Sequence, residues 1–245
     1  MAIILSEYLR DGEIVLTGAN SAVPAAACRL AQLTHAPNLT YVSGGSGAVN
    51  SRLSPLCASS CDFRNLNAEC VLRLDDLFDL ISSGIDVFFA GGLQIDRYGN
   101  CNMVGIGKEG GLRFRGPGSL GLPLSSRAKR VAIYTTRHDR RVFVERVDFS
   151  SSPGHDRIYK TGNTDAADDA VSGPDIVVTP LAVFDFRNAG RTMRLVSVHP
   201  GVSVDEVVRN TGFQIDIHDR ISTTPEPSPS QVGLLRQLDT KGILR

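Results

Sequence analysis

Between Gln94 and Asn102 every second residue is polar: Gln94, Asp96, Tyr98, Asn100 and Asn102, separated by Ile95, Arg97, Gly99 and Cys101. A period of two puts alternate side chains on one face of an extended chain. The spacing therefore predicts a hydrogen-bonding wall of amides, a carboxylate and a phenol lining a cleft. The same residues around Tyr98-Gly99 also suit an Asx turn, in which a short side chain bonds the backbone two residues on. Two further loops carry clustered glycines, Ser43-Gly-Gly-Ser-Gly47 and Arg115-Gly-Pro-Gly-Ser119. Glycine permits close backbone approach, so the N–H groups of Gly44, Gly45, Gly116 and Gly118 are candidate donors to a phosphate or an oxyanion. The hydroxyls of Ser43 and Ser119 lie beside them.

Other chemistries find little support. The five histidines, His35, His138, His155, His199 and His218, are scattered, and none has the spacing of a metal-binding pair. No G-x-S-x-G elbow marks a serine nucleophile. The loop Thr17-Gly-Ala-Asn-Ser-Ala-Val-Pro24 stands where a dinucleotide fingerprint would, but lacks G-x-G-x-x-G. Five cysteines, Cys28, Cys57, Cys61, Cys70 and Cys101, form neither a paired disulfide framework nor a zinc pattern, which suits reduced thiols in a cytoplasmic protein. No cofactor and no metal are expected.

These loops need a scaffold. Ile14–Gly18 and Leu39–Val42 read as strands flanking an alanine-rich helix over Ala25–Leu33, the strand–helix–strand unit of a parallel sheet. Leu5–Arg10 and Leu74–Ile81 read as helices. Asp86–Ala90, Val131–Thr135, Val142–Val147 and Ile176–Thr179 read as strands, as do Leu181–Phe186 and Met193–His199, the last two joined by a turn at Asn188-Ala-Gly190. The expected fold is α/β, an open, mostly parallel sheet with an antiparallel section in the C-terminal half. Ser203-Val-Asp-Glu206 opens a short helix with a capping-box pattern. Residues 1–222 are expected to form one domain. Residues 223–245, a proline-rich connector and a helix over Gln231–Leu238, pack on it. The polar stretch 161–174 reads as a surface loop.

The 245 residues are 42% hydrophobic and carry no net charge. Such a chain has a core but no global field for nucleic acid or an anionic membrane. No apolar run reaches the roughly 18 residues of a spanning helix, and the N-terminus lacks a signal peptide's basic and long apolar regions. Charge is unevenly spread: Arg113–Arg146 holds nine lysines and arginines against two acids. That segment is either a solvated basic edge or a place for a polyanion such as the phosphates of coenzyme A.

Taken together the motifs resemble a known family. Gly91-Gly-Leu-Gln-Ile-Asp-Arg-Tyr-Gly-Asn-Cys-Asn102 is similar to the G-G-x-Q-I/V-D-x-Y-G-N-x-N signature of the β subunits of family I CoA-transferases, glutaconate CoA-transferase in particular. Arg113-Phe-Arg-Gly-Pro-Gly118, His138-Asp-Arg-Arg-Val-Phe-Val144, Val147-Asp-Phe-Ser-Ser-Ser-Pro-Gly154 and Asn210-Thr-Gly-Phe213 resemble further family stretches in the same order. The resemblance implies an α subunit of related fold, an acyl-CoA substrate, a heterodimer or α2β2 heterotetramer, and a site at the subunit boundary.

One position departs. In the transferases the glycine turn after the second strand begins with a glutamate that attacks the acyl-CoA; here Ser43 stands in its place. A serine nucleophile needs a base, and none is adjacent in sequence. The departure resembles the β subunits of one branch, the actinobacterial hydrolases that open the last steroid ring in cholesterol degradation. That branch implies hydration of a cyclic β-keto acyl-CoA and retro-Claisen C–C cleavage, with the working carboxylate on the α subunit. The alternatives are a CoA-transferase subunit with another nucleophile and a non-catalytic subunit.

Overall fold

A computed structural model of the chain describes residues 1–51, 56–59, 67–108, 111–158 and 173–244. Cys61 and all but the last two residues of the stretch 161–174 lie outside them. The chain divides into two compact units, Met1–Phe89 with Glu226–Arg245, and Ala90–Pro225.

The first unit begins with α1 (Ala2–Tyr8) and continues through β1 (Ile14–Thr17), α2 (Ala22–Leu33), β2 (Thr40–Ser43), β3 (Ala48–Val49), β4 (Cys70–Val71), α3 (Leu74–Ser83) and β5 (Val87–Ala90). Strand order is β5-β1-β2-β3-β4. Strands β5, β1 and β2 run parallel, as the strand–helix–strand reading requires, and β3 and β4 add an antiparallel edge. Helix α2 forms because its alanines lose no rotamer freedom, and Pro24 falls in the first turn, where its missing N–H is harmless. Its Ala25, Ala26, Ala27, Cys28, Leu30 and Ala31 are all buried, and it packs against β1, β2 and α1. Helix α3 is capped by the Asp76 carboxylate, which accepts from the Arg73 N–H, and it ends at Gly84, with φ of +98°.

The second unit holds β6 (Gln94–Ile95), β7 (Cys101–Asn102), β8 (Gly105–Lys108), β9 (Gly111–Arg115), β10 (Arg130–Tyr134), α4 (His155–Ile158), β11 (Pro174–Val178), β12 (Ala182–Asp185), β13 (Arg194–Val198), α5 (Val204–Asn210) and β14 (Asp216–Thr223). Its main sheet has the order β14-β13-β12-β11-β10. The antiparallel run β11–β12–β13 is the section expected in the C-terminal half, and β10 and β14 flank it with parallel pairings. Strands β6–β7 and β8–β9 form two small ribbons. Ser203 caps α5 by accepting from the Glu206 N–H. The last helix, α6 (Pro229–Leu238), belongs to the first unit and packs on α2. It starts two residues before the expected Gln231, because Pro229 suits a first helical position and Ser228 caps it.

The expected strand over Val142–Val147 does not form. The Asp139 side chain accepts from the N–H groups of Arg141 and Val142 and turns the chain. Among the described residues only one bridge, Ile95 to Phe143, links it to other strands. Among the described residues no helix is long and apolar enough to cross a membrane.

Candidate functional site

In the first unit the loop after β2 is built around Ser43. The side chain is 2% exposed, and its oxygen accepts from the Ser46 hydroxyl at 3.1 Å. The Tyr41 hydroxyl also bonds Ser43 and lies 3.3 Å from the Thr17 hydroxyl. Burial first, then the nearby Cys28, pushes the Tyr41 phenol up to about 12 despite these bonds. Ser43 is therefore set in a cluster of neutral hydroxyls, and among the described residues no carboxylate, histidine or lysine bonds it. The Gly44 N–H donates to the Thr17 carbonyl at 2.8 Å, and a Cβ there would sit 2.6 Å from that oxygen, so only glycine fits. Gly47, at φ +72°, closes the turn by donating to the Ser43 carbonyl. Gly45 has interactions of its own within the protein.

The second unit gathers the other predicted residues. Gln94 to Asn102 is not an extended chain but a hairpin, with Gln94 opposite Asn102 and Ile95 opposite Cys101. The turn forms because Asp96 is an Asx residue in the right place. Its Oδ1 accepts from the N–H groups of Tyr98 and Asn100, and Gly99 adopts φ +80°. The expectation of five side chains on one cleft-facing wall is thereby corrected. Gln94, Asp96, Asn100 and Asn102 are between 0% and 6% exposed, and their polar atoms bond one another and the segment that follows Val147. Tyr98 is half-buried, its ring under the Arg97 guanidinium.

The bonds are specific. Gln94 Nε2 donates to Asp148 at 3.2 Å, while its Oε1 accepts from the Asp148 N–H and from Asn102 Nδ2. Asn100 Nδ2 donates to Asp96 and, at 2.7 Å, to Asp156; its Oδ1 accepts from the Gly154 N–H. Cys101 exchanges backbone bonds with Ser151 and Ser152. Burial raises the Asp96 pKa, opposed by the bonds from Asn100 and Tyr98 and reinforced by Asp156. Two stretches far apart in sequence, 91–102 and 147–154, are thus one hydrogen-bonded body.

That body holds the third loop from beneath. Ser151 Oγ accepts from the Met103 N–H and from the Ser119 hydroxyl at 2.8 Å. Gly116 and Gly118 donate to the carbonyls of Val104 and Met103. Three of the four glycine N–H groups considered as oxyanion donors, those of Gly44, Gly116 and Gly118, are therefore engaged with backbone. Outward the loop presents Arg115 and Pro117, both exposed, with Ser119 half-buried and the following Leu120 73% exposed at φ +43°. A bulky residue held there implies that its surroundings enforce the turn.

Sequence reasoning picked the loops and missed their supports: Thr17, Tyr41 and Ser46 around Ser43, and Asp148, Ser151 and Asp156 under the hairpin. Only the resemblance of the Val147–Gly154 stretch pointed toward the second set. Among the described residues no group of three or more His, Cys, Asp or Glu side chains could hold a metal ion.

Comparison with known proteins places these features in context. Residues 78–210 match the family described as Coenzyme A transferase. The chain is similar to the B-type subunit of 3-oxoadipate CoA-transferase from Pseudomonas knackmussii, 28% identical over 249 residues that span 98% of this chain and 92% of that protein. It is equally similar to the cholesterol ring-cleaving hydrolase IpdB subunit of Rhodococcus jostii, 28% identical over 245 residues, 99% of this chain and 92% of that one. Among solved structures the decarboxylase AibA/AibB aligns with a TM-score of 0.84 at 27% identity, covering 98% of this chain and 93% of that chain.

Proposed function

This chain belongs to the coenzyme A transferase family, and from that premise we propose that it is the B-type subunit of a heteromeric enzyme that opens the ring of a cyclic β-keto acyl-CoA by hydrolysis. The observation that carries the reading is Ser43. By the resemblance Ser43 stands where the transferases keep a nucleophilic glutamate, and here it is a buried serine bonded to hydroxyls. Serine attacks a thioester only when a base takes its proton, and among the described residues this cluster contains none.

In the proposed reaction water adds to the ring ketone while a carboxylate of the A-type subunit removes a proton. The bond between the hydrated carbon and the thioester's α-carbon then breaks. Its electron pair passes into the thioester enolate, which is protonated at carbon, and the ketone carbon becomes a carboxylate. One water is consumed and the thioester survives. The enolate needs pre-set donors. Ser119, whose hydroxyl proton goes to Ser151, is assigned to substrate binding as an acceptor and not as one of those donors. The similarity to the IpdB subunit supports the ring-opening reading. The equal similarity to the B-type subunit of 3-oxoadipate CoA-transferase favours a second reading, CoA transfer to a dicarboxylic acid with a different nucleophile.

The test is to co-express the chain with its A-type partner and supply a cyclic β-keto acyl-CoA without an acceptor acid. The expected product is heavier by one water and keeps its thioester. Turnover that begins only when a free acid is added would overturn the hydrolase in favour of the transferase. The Ser43→Ala complex is expected to stay within a few-fold of the parent in ring opening.

A further inference from the structure

The second unit contains a cavity of about 290 Å³ that the proposed reaction does not use. It lies at the amino ends of β11 and β13, whereas ligands of open α/β sheets gather at the carboxyl ends of the parallel strands. Its floor is apolar and buried: Phe186 is 4% exposed, and His155, 6% exposed, stands against it with ring centroids 4.9 Å apart. His155 Nε2 donates to the Pro174 carbonyl at 2.8 Å, which fixes the ring. The rim carries two exposed arginines, Arg187 and Arg191, and one exposed carboxylate, Asp175.

Two details show that the rim is built. Asp185, the acid nearest Arg187 in sequence, is held by Arg194 through two bonds of 2.9 and 2.8 Å. The Arg187 guanidinium has no ion pair or hydrogen bond among the described residues, only its backbone N–H being engaged. Asp175, also on the rim, has interactions of its own within the protein, as does Arg191. Arg191 sits at φ +46°, a conformation that an arginine adopts only when the turn imposes it. The turn is locked by Asn188. Its amide donates to Thr192 and Asp216 and accepts from the Thr192 N–H, while its carbonyl accepts from the Arg191 N–H. The two arginines thus project from a pre-set turn over an aromatic floor.

We propose that this cavity binds a small organic carboxylate with a flat, apolar body, the carboxylate on Arg187 and Arg191 and the body on Phe186 and Pro174. Guanidinium groups match carboxylates in geometry and charge, and the cavity's lining mixes these polar groups with the Phe186 and Pro174 surfaces. The floor also backs the signature hairpin. A Cβ at Gly99 would lie 2.4 Å from Pro174 and 2.9 Å from Phe186, and the His155 N–H bonds the Tyr98 carbonyl. A ligand in this cavity would therefore rest on residues that pack against the hairpin.

The test is calorimetric titration of the complex of this chain with its partner subunit, using benzoate, benzamide and inorganic phosphate as probes. Benzoate is expected to bind in the millimolar range or tighter. Arg187→Gln and Arg191→Gly are each expected to weaken it about tenfold, the loss of one charge-assisted bond. The glycine variant also removes the backbone strain, so misfolding does not explain a loss. Benzamide and phosphate are expected to bind at least tenfold more weakly than benzoate. Benzamide equal to benzoate would mean that charge is not read. Phosphate equal to benzoate would mean that the floor takes no part. No benzoate binding, or binding that neither variant changes, would remove the site.

Discussion

Replacing Asn100 with alanine tests whether the buried network is what holds the signature hairpin. Asn100 is 1% exposed and serves four partner atoms: both Asp96 oxygens at 3.1 and 3.0 Å, Asp156 at 2.7 Å, and the Gly154 N–H at 2.7 Å. Hydrogen bonds to charged groups contribute about 1.5–3 kcal/mol each, and a buried N–H left without an acceptor costs about 1–3 kcal/mol. Some of this is recovered by relaxation and water, so the expected loss is about 4 kcal/mol, well above the roughly 1 kcal/mol of a typical substitution. In urea unfolding followed by circular dichroism, at a slope of about 2 kcal/mol per molar, the midpoint falls by roughly 2 M. Asn100→Asp keeps the acceptor for Gly154 but turns a third carboxylate toward Asp96 and Asp156. At neutral pH it is expected to cost at least as much as alanine, and the deficit is expected to shrink as the medium is acidified. A midpoint shift under about 0.5 M for Asn100→Ala, or an aspartate variant as stable as the parent at pH 7, would refute the argument that this amide joins the two segments.

Two further outcomes follow from the same geometry. His138 lies between the hydroxyls of Thr179 and Thr211, at 2.9 and 3.0 Å, and stacks on Phe143. Burial, partly opposed by Asp139, lowers its pKa from 6.5 to about 4. The unfolded chain therefore takes up a proton that the folded chain refuses. Stability is expected to fall as pH drops from 6.5 through about 4, by up to roughly 3 kcal/mol. His138→Gln should lose that part of the slope in urea midpoints measured across the range. Gly154→Ala would place a methyl 2.4 Å from the Tyr98 carbonyl oxygen and 2.5 Å from the Asn100 nitrogen, both backbone. It is expected to cost about 1–3 kcal/mol and to speed amide exchange at Cys101 and His155, whose N–H groups bond across the same junction.

The heart of each sheet was legible from the chain alone. Strands β1, β2, β5, β10, β11, β12 and β13 are short apolar runs between turn residues, and local composition suffices to mark a buried strand. The capping serine of α5 was readable for the same reason, since a cap involves residues three apart. Elements that exist through their partners were not readable. Strand β14 is exposed at six of eight positions and is a strand because β13 pairs with it. Val142–Val147 has the β-branched composition of a strand, yet Asp139 turns the chain there before pairing can extend.

For the site, the sequence by itself determined the chemical inventory: a serine opening the glycine turn after β2, glycines where backbone must approach backbone, and a run of amides and a carboxylate. Residue types are local facts, and close approach excludes every side chain larger than hydrogen. The tertiary structure alone decided the direction of those groups. One turn at Asp96–Gly99 folds the alternation back on itself, so the polar side chains point into the protein. Their partners, Asp148 and Asp156, come from 54 and 56 residues away. Hydrogen bonds act over about 3 Å, and which distant groups come within that distance is settled only when the chain packs.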